Sequence, residues 1–435
     1  MIFAHGLGSR GQLPLPVWMF TWAAAIALVV SFVALGVLWT RPLLDRLAAG
    51  RSLAPPTGAV GAVRAAGQAI ALALYLLCLV AGLAGADVTS DNILPVTIYV
   101  VVWVGALLVS GVVGDLWGAV NPIATVARGV EAVARRAGRQ PGEAPTWLGQ
   151  WPAALGLMVF LFYELGHPSG AEPRTLGYLL AVHLAISVAA AAAWGADWVA
   201  EHEPFSALFA WVGAMGPIFR RPEGGLGLRP PVSGLARMPV VTGTAVSLLV
   251  VLGGTTYDGF SESEVARQLL GRPTGWSGAV TALLGLVGSI VVIGLLYAVG
   301  IWWTSRVTGM VPGRAASAFA PSLAPIVFGY AVAHYFQLLV DESQSFVFRL
   351  SDPFGRGWDL FGGSDGLINF NLISVDLIAW LQVIAILVGH IGAVVVAHDR
   401  SIELFDVGHS LRSQFAMLLV MVAYSTLGLW LLLNA

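Results

Sequence analysis

The sequence contains no lysine, only one cysteine and very little charge. All 22 basic residues are arginine, and charged residues of both signs make up 11% of 435 positions. A soluble domain carries about a quarter, so a soluble globular fold is excluded. Cys78 has no second cysteine to pair with. With no Cys-x-x-Cys pair, iron–sulfur clusters and cysteine-rich zinc sites are excluded too. HExxH and HxH are missing, so no spacing spells out a metal motif. The formal charge of −2 offers no footing for nucleic acid. The lack of lysine, beside abundant Ala, Gly and Val, reads as base composition rather than function.

What is present is apolar sequence. Hydrophobic residues are 57% of the chain and mean hydropathy is +0.81. Several runs approach or exceed the roughly 20 residues needed to cross a bilayer. They are continuous rather than alternating, which excludes a β-barrel. The expected fold is an all-α integral membrane protein, one polytopic bundle over residues 1–435. Ten spans are predicted, near 17–39, 65–85, 94–113, 148–166, 175–198, 239–257, 277–304, 315–340, 371–398 and 411–433. Alternate loops hold 16 of the 22 arginines, among them Arg41, Arg64, Arg128, Arg139, Arg220 and Arg237. The other loops are acidic, with Asp87, Asp91, Asp258, Asp341 and Glu342. By the positive-inside rule both termini are outside, and the expected location is the inner (cytoplasmic) membrane. No charged n-region leads an apolar stretch before His5, so insertion is expected to begin with the first span. The bilayer is the obvious partner, with a partner membrane subunit also expected under one reading given below.

Two inside segments read as helices lying along the cytoplasmic surface. PIATVARGVEAVARRAG places Ile123, Val126, Val130 and Val133 on one stripe and arginines on the other, an interfacial pattern. EPFSALFAWVGAMGPIFRR is more apolar. Asp115 precedes Pro122 by seven residues, as Asp197 precedes Pro204, a weak internal repeat or a coincidence. The segment from Asp341 to Asn371 reads as a long outer loop with a re-entrant or lid-like part. Trp18, Trp103, Trp147, Trp151, Trp302 and Trp303 read as interface anchors.

Ionisable residues at membrane depth are costly and mark candidate sites. His183 and His334 fall at similar depth, about 10–12 Å below the outer ends of their spans at about 1.5 Å per residue. Glu164 and His167 are three apart at the outer end of the fourth span, and Asp341 is seven residues from His334 on one helix face. His5 and Asp258 lie on the same outer side. Imidazole and carboxylate are what zinc or another divalent metal takes, three ligands and a water in a catalytic site. Bound water would then be the nucleophile. His334, His183 and Glu164 are the first candidates, with His5, His167 and Asp341 completing the set.

Other readings use the same residues. A lone histidine at this depth can simply bond a carbonyl or serine on the next helix. His390 fits that reading, and His398 with Asp399 and Arg400 reads as an interface cluster. His183 and His334 could instead hold haem between them. Pro321, Pro325 and Gly253-Gly254 fit the broken helices of a transporter.

AHGLGSRGQLPLPVWMF, GYAVAHYFQLLVDE, SDPFGRGWDLFGG, VGHIGAVVVAHDRSIELF and QFAMLLVMVAYSTLGLWLL resemble, in order and from end to end, a bacterial family of polytopic membrane proteins labelled fenitrothion hydrolase. The resemblance implies a membrane hydrolase of organophosphorus triesters that releases a nitrophenol. In relatives the AHG segment follows a cleavable leader. Here only Met-Ile-Phe precedes Ala4. If processing exposed His5, its amine and imidazole could brace copper. The first expectation is therefore a membrane metal site (zinc, manganese or copper) hydrolysing phosphotriesters by metal-activated water. The alternative is a non-enzymatic transporter or accessory membrane subunit that binds metal or haem.

Overall fold

The computed structural model describes residues 17–54, 58–271 and 273–434. His5 lies outside them. The chain is about 75% helical, as lipid requires of a backbone with no water to bond. Its long helices are α1 (Val17–Leu38), α2 (Gly58–Ala84) and α3 (Ile93–Val112). After α3 a surface helix, α4 (Pro122–Arg136), leads to α5 (Trp151–Leu165) and α6 (Pro173–Trp194). Two shorter helices follow, α7 (Ala196–His202) and α8 (Pro204–Gly213). The second half holds α9 (Thr244–Ser261), α10 (Gly275–Thr308), α11 (Leu323–Ser351), α12 (Val375–Leu404) and α13 (Phe415–Asn434). Among the described residues, seven helices are long and apolar enough to cross a membrane. The protein is thus an all-α chain of multi-pass membrane character.

One end of the bundle carries the arginine-rich loops. There β1 (Arg51–Ala54), β2 (Ile218–Arg220) and β3 (Leu226–Leu228) form a small antiparallel sheet in the order β1-β3-β2. Helix α9 is enclosed on nearly all sides and packs against α5, α10, α11 and α13. Helices α11 and α12 approach closely at Gly329, where an added Cβ would sit 2.6 Å from the Ala385 carbonyl oxygen. Small residues serve this purpose in membranes, where apolar contact alone does not drive helices together.

Three expectations need correction. The helix read as the second surface helix is not at a surface: Phe209 and Trp211 on α8 are 0% and 1% exposed. Helix α6 stops at Trp194, Gly195 (φ 92) turns the chain, and α7 runs back along α6. The chain reverses at Glu203, where Pro204 packs on Gly156 of α5, and α8 ends against Asp115. The segment is therefore a short helical hairpin folded back into the bundle. By contrast α4 buries Ile123, Ala124 and Ala127 and exposes Arg128, Arg135 and Arg136.

The second correction concerns α11, which continues through Gln344 and Phe348 to Ser351 where a loop was expected. Nothing in that stretch breaks a helix before Asp352-Pro353. Asp352 then accepts from the Arg356 and Gly357 amides at 3.0 and 2.6 Å, closing a turn. The rest, residues 357–374, contains no helix and is mostly exposed, with Leu367 at 89%. Third, Trp103 is not an interface anchor. It is 1% exposed and packs on Phe160 and Tyr335.

Candidate functional site

Asp258 sits on the last turn of α9, facing consecutive residues of α11. Its Oδ2 is 2.8 Å from His334 Nε2 and accepts from the Tyr335 hydroxyl at 2.9 Å. The Asp258 and His334 side chains are 4% and 3% exposed. Because α9 is wrapped by four other helices, a polar group on it must find its partners on those helices. Adjacent residues of α11 supply two of them at once. Each bond from a carboxylate to a donor at such a site is worth more than a neutral one.

Glu164 lies beside this pair, one residue from the end of α5. Both its carboxyl oxygens are buried and none of the described residues bonds them. The buried Trp103 indole N–H is the donor beside both Glu164 and Tyr335, although it closes a well-formed hydrogen bond with neither. Trp103 belongs to a stretch of α3, Thr97–Ala106, wound with wide π-type turns. Such turns are frequent at functional sites.

The other candidates lie elsewhere. His183 is midway along α6, 3.4 Å from Glu203 Oε1 at the hairpin tip. His167 stacks on Tyr163 at 4.5 Å and accepts from the Ser169 amide. Asp341 is half-buried two turns beyond His334 and does not reach it. His398 and Asp399 clamp the start of the first arginine-rich loop. The His398 Nε2–H donates to Trp39 O at 3.0 Å, while Asp399 Oδ1 accepts from Trp39 Nε1 at 2.9 Å and from Leu43 N at 2.6 Å. That is a structural role. Among the described residues no three His, Cys, Asp or Glu side chains converge as a metal site. His334, His183 and Glu164 are therefore not assembled as one ligand set. The physical reason is that His183 and His334 each face a different carboxylate.

The sequence missed Glu203 as a site residue. It caps α8, accepting from Phe205 N at 3.1 Å and from Ser206 N at 2.7 Å, and it takes the Ser206 hydroxyl at 2.8 Å. Asn121 caps α4 in the same way and donates from Nδ2 to Ser206 Oγ at 2.7 Å. Trp117 Nε1 reaches Glu203 at 3.4 Å. The equal Asp-to-Pro spacings thus mark two like helix breaks that meet in space.

A second row of polar rings runs inward from His334. Tyr330 stacks near His334 (6.5 Å, 23°) and near Tyr424 (5.9 Å, 24°). The Tyr424 hydroxyl bonds Thr256 at 2.8 Å, and the ring of His390 lies 6.0 Å from that of Tyr424. His390 Nδ1–H donates to Ile386 O at 2.8 Å, which leaves Nε2 as an acceptor, buried and unbonded among the described residues. No family model, curated protein or solved structure matches this chain. The arrangement itself therefore carries the functional reading.

Proposed function

We propose that this chain is a ten-span transporter-class protein of the inner membrane, both termini outside, whose working site binds and releases a proton. The observation that carries this reading is the Asp258–His334 bond, 2.8 Å long between side chains almost wholly removed from solvent. With one shared proton the pair is neutral overall, as a carboxylate with an imidazolium or as an acid with an imidazole. Removing or adding a proton leaves a net charge of one in an apolar interior. Such a site is stable in few states and switches between them at a cost the helices around it can feel. Glu164, beside it with no bonded partner, is a second group able to exchange a proton with Asp258.

Metal-activated hydrolysis, which the resemblance implies, needs several ligands around one ion. His183 and His334 stand in separate carboxylate pairs, and that dispersal favours transport. Proton titration of the purified protein in lipid nanodiscs, followed by infrared difference spectroscopy, tests the reading. Wild type should show carboxyl and imidazole bands that titrate together, and Asp258→Asn should lose both. Titration unchanged in Asp258→Asn, or no titrating band in wild type, would overturn it.

A further inference from the structure

We propose that protons cross the membrane through this protein along one buried line, from Glu164 through the Asp258–His334 pair and the Tyr330 and Tyr424 hydroxyls to His390. The proposal rests on the reading of Asp258–His334 as a proton site. Its independent support is that both ends of the line are ionisable groups left without a hydrogen bond among the described residues. The Glu164 oxygens and His390 Nε2 are all buried. Buried polar atoms are nearly always satisfied; nine of the described residues carry an exception, and Glu164 and His390 are the two that stand at the ends of this row of polar side chains.

The groups are ordered by depth. Gly329 of α11 is level with Gly389 of α12, where their backbones nearly touch. His334 lies five residues beyond Gly329 toward the acidic end, and His390 is one residue beyond Gly389 toward the arginine-rich end. At about 1.5 Å per residue the two imidazoles differ in depth by roughly 9 Å along the helix axes. Tyr330 and Tyr424 stand between them. One residue pair further inward, Gly392 already packs on Pro325 and on Val232 of an arginine-rich loop. Beyond it a small cleft of about 40 Å³, whose lining includes Ser322, Val396, Ala397, Arg400 and Glu403, opens at that end. At the other end Glu164 is the second-last residue of α5, three residues from the partly exposed His167.

The transfer balances. Glu164 gives its carboxyl proton to Asp258, and the His334 imidazolium, whose Nε2–H faces Asp258, releases its Nδ1 proton toward Tyr330. Each tyrosine hydroxyl takes one proton and passes one on, and His390 Nε2 receives the last. The imidazole ring then turns over and takes the Asp258 proton on its freed nitrogen, restoring the pair. His390 loses its proton toward the arginine-rich end and Glu164 regains one from the opposite face. Only O–H and N–H bonds form and break, and one proton crosses per cycle. The ring centroids stand 5.9–6.5 Å apart, so the transfer requires the hydroxyls to turn toward one another or a water to enter between them.

The test is proton flux into liposomes holding the purified protein and an internal pH dye, driven by a potassium diffusion potential. Glu164→Gln and His390→Gln should each lower flux roughly tenfold or more while melting close to wild type. Tyr424→Phe, which keeps the ring stack, should do the same and serves if either other variant is unstable. If these variants carry wild-type flux while Asp258→Asn abolishes it, the pair handles protons but the line to His390 is wrong. If Asp258→Asn also carries wild-type flux, or wild type conducts no faster than empty liposomes, the proton reading of the pair fails with it.

Discussion

Asp258 Oδ2 is shared by His334 Nε2 at 2.8 Å and the Tyr335 hydroxyl at 2.9 Å, so one oxygen joins α9 to two successive residues of α11. Successive residues of a helix point about 100° apart. Both can reach one atom only if that atom lies close to the helix surface between them. The enclosed position of α9 provides that closeness. The pair therefore fixes the rotation of α11 relative to α9, whatever else it does.

Removing one partner should cost more than removing both. Asp258→Ala leaves the imidazole and the Tyr335 hydroxyl without their acceptor, and a broken buried pair typically costs about 3–5 kcal/mol. The double variant Asp258→Leu/His334→Leu replaces the pair with apolar bulk and should recover most of that loss. Melting temperature in detergent checks this, and a double variant less stable than both singles would refute it.

The hairpin tip makes a second demand. Glu203→Ala removes a helix cap, the Ser206 hydroxyl bond and the Trp117 contact together. A cap alone is worth about 1 kcal/mol and a hydrogen bond to a charged group about 1.5–3 kcal/mol. The loss should be at least about 2 kcal/mol, measured by chemical unfolding. Glu203→Gln keeps one acceptor oxygen for the cap and should lose clearly less. Equal losses would mean that charge, not capping, holds the tip.

The sequence made some of this legible and not the rest, for physical reasons. Long apolar runs specify helices because lipid leaves the backbone no other choice, and among the described residues seven of those helices are long and apolar enough to cross a membrane, where ten spans were expected. His334 stood out because an ionisable group at that depth is costly. Its partners did not. Tyr335 reads as an ordinary core aromatic until Asp258 is seen across from it. Glu203 stood just before a ten-residue apolar stretch, Pro204–Gly213, too short to span, which composition alone assigns equally to a surface or to a turn inside the bundle. The matched Asp-to-Pro spacing was the one signal for it. His183 and His334 share a depth, but depth along a helix says nothing about which way each helix is turned.

At the arginine-rich end, Glu131 joins α4 to the start of the hairpin. Its Oε2 accepts from the Ala196 amide at 2.6 Å, and that bond, with Arg135 beside it, holds the carboxyl below the usual carboxylate range. A group lowered on folding adds stability that is present above its unfolded value, about 4.3, and is lost as pH falls through its folded value. Wild type should therefore melt higher than Glu131→Gln at neutral pH, with the gap shrinking below about pH 4. A gap constant from neutral pH to pH 3 would remove this bond as its cause.

The direction of the proposed proton line depends on which end of the bundle faces out, and the lone cysteine makes that measurable. Cys78 is buried, 2% exposed, so the native chain should stay unlabelled by a membrane-impermeant maleimide. Asp365, in the segment after α11, and Arg139, after α4, are both exposed and lie at opposite ends of the molecule by loop order. The arginine excess places Arg139 inside. In intact cells Asp365→Cys should therefore label and Arg139→Cys should not, with both labelling after lysis. The reverse pattern would invert the orientation. Glu164 would then face the cytoplasm, and His390 would become the entry rather than the exit for a proton driven inward by the membrane potential.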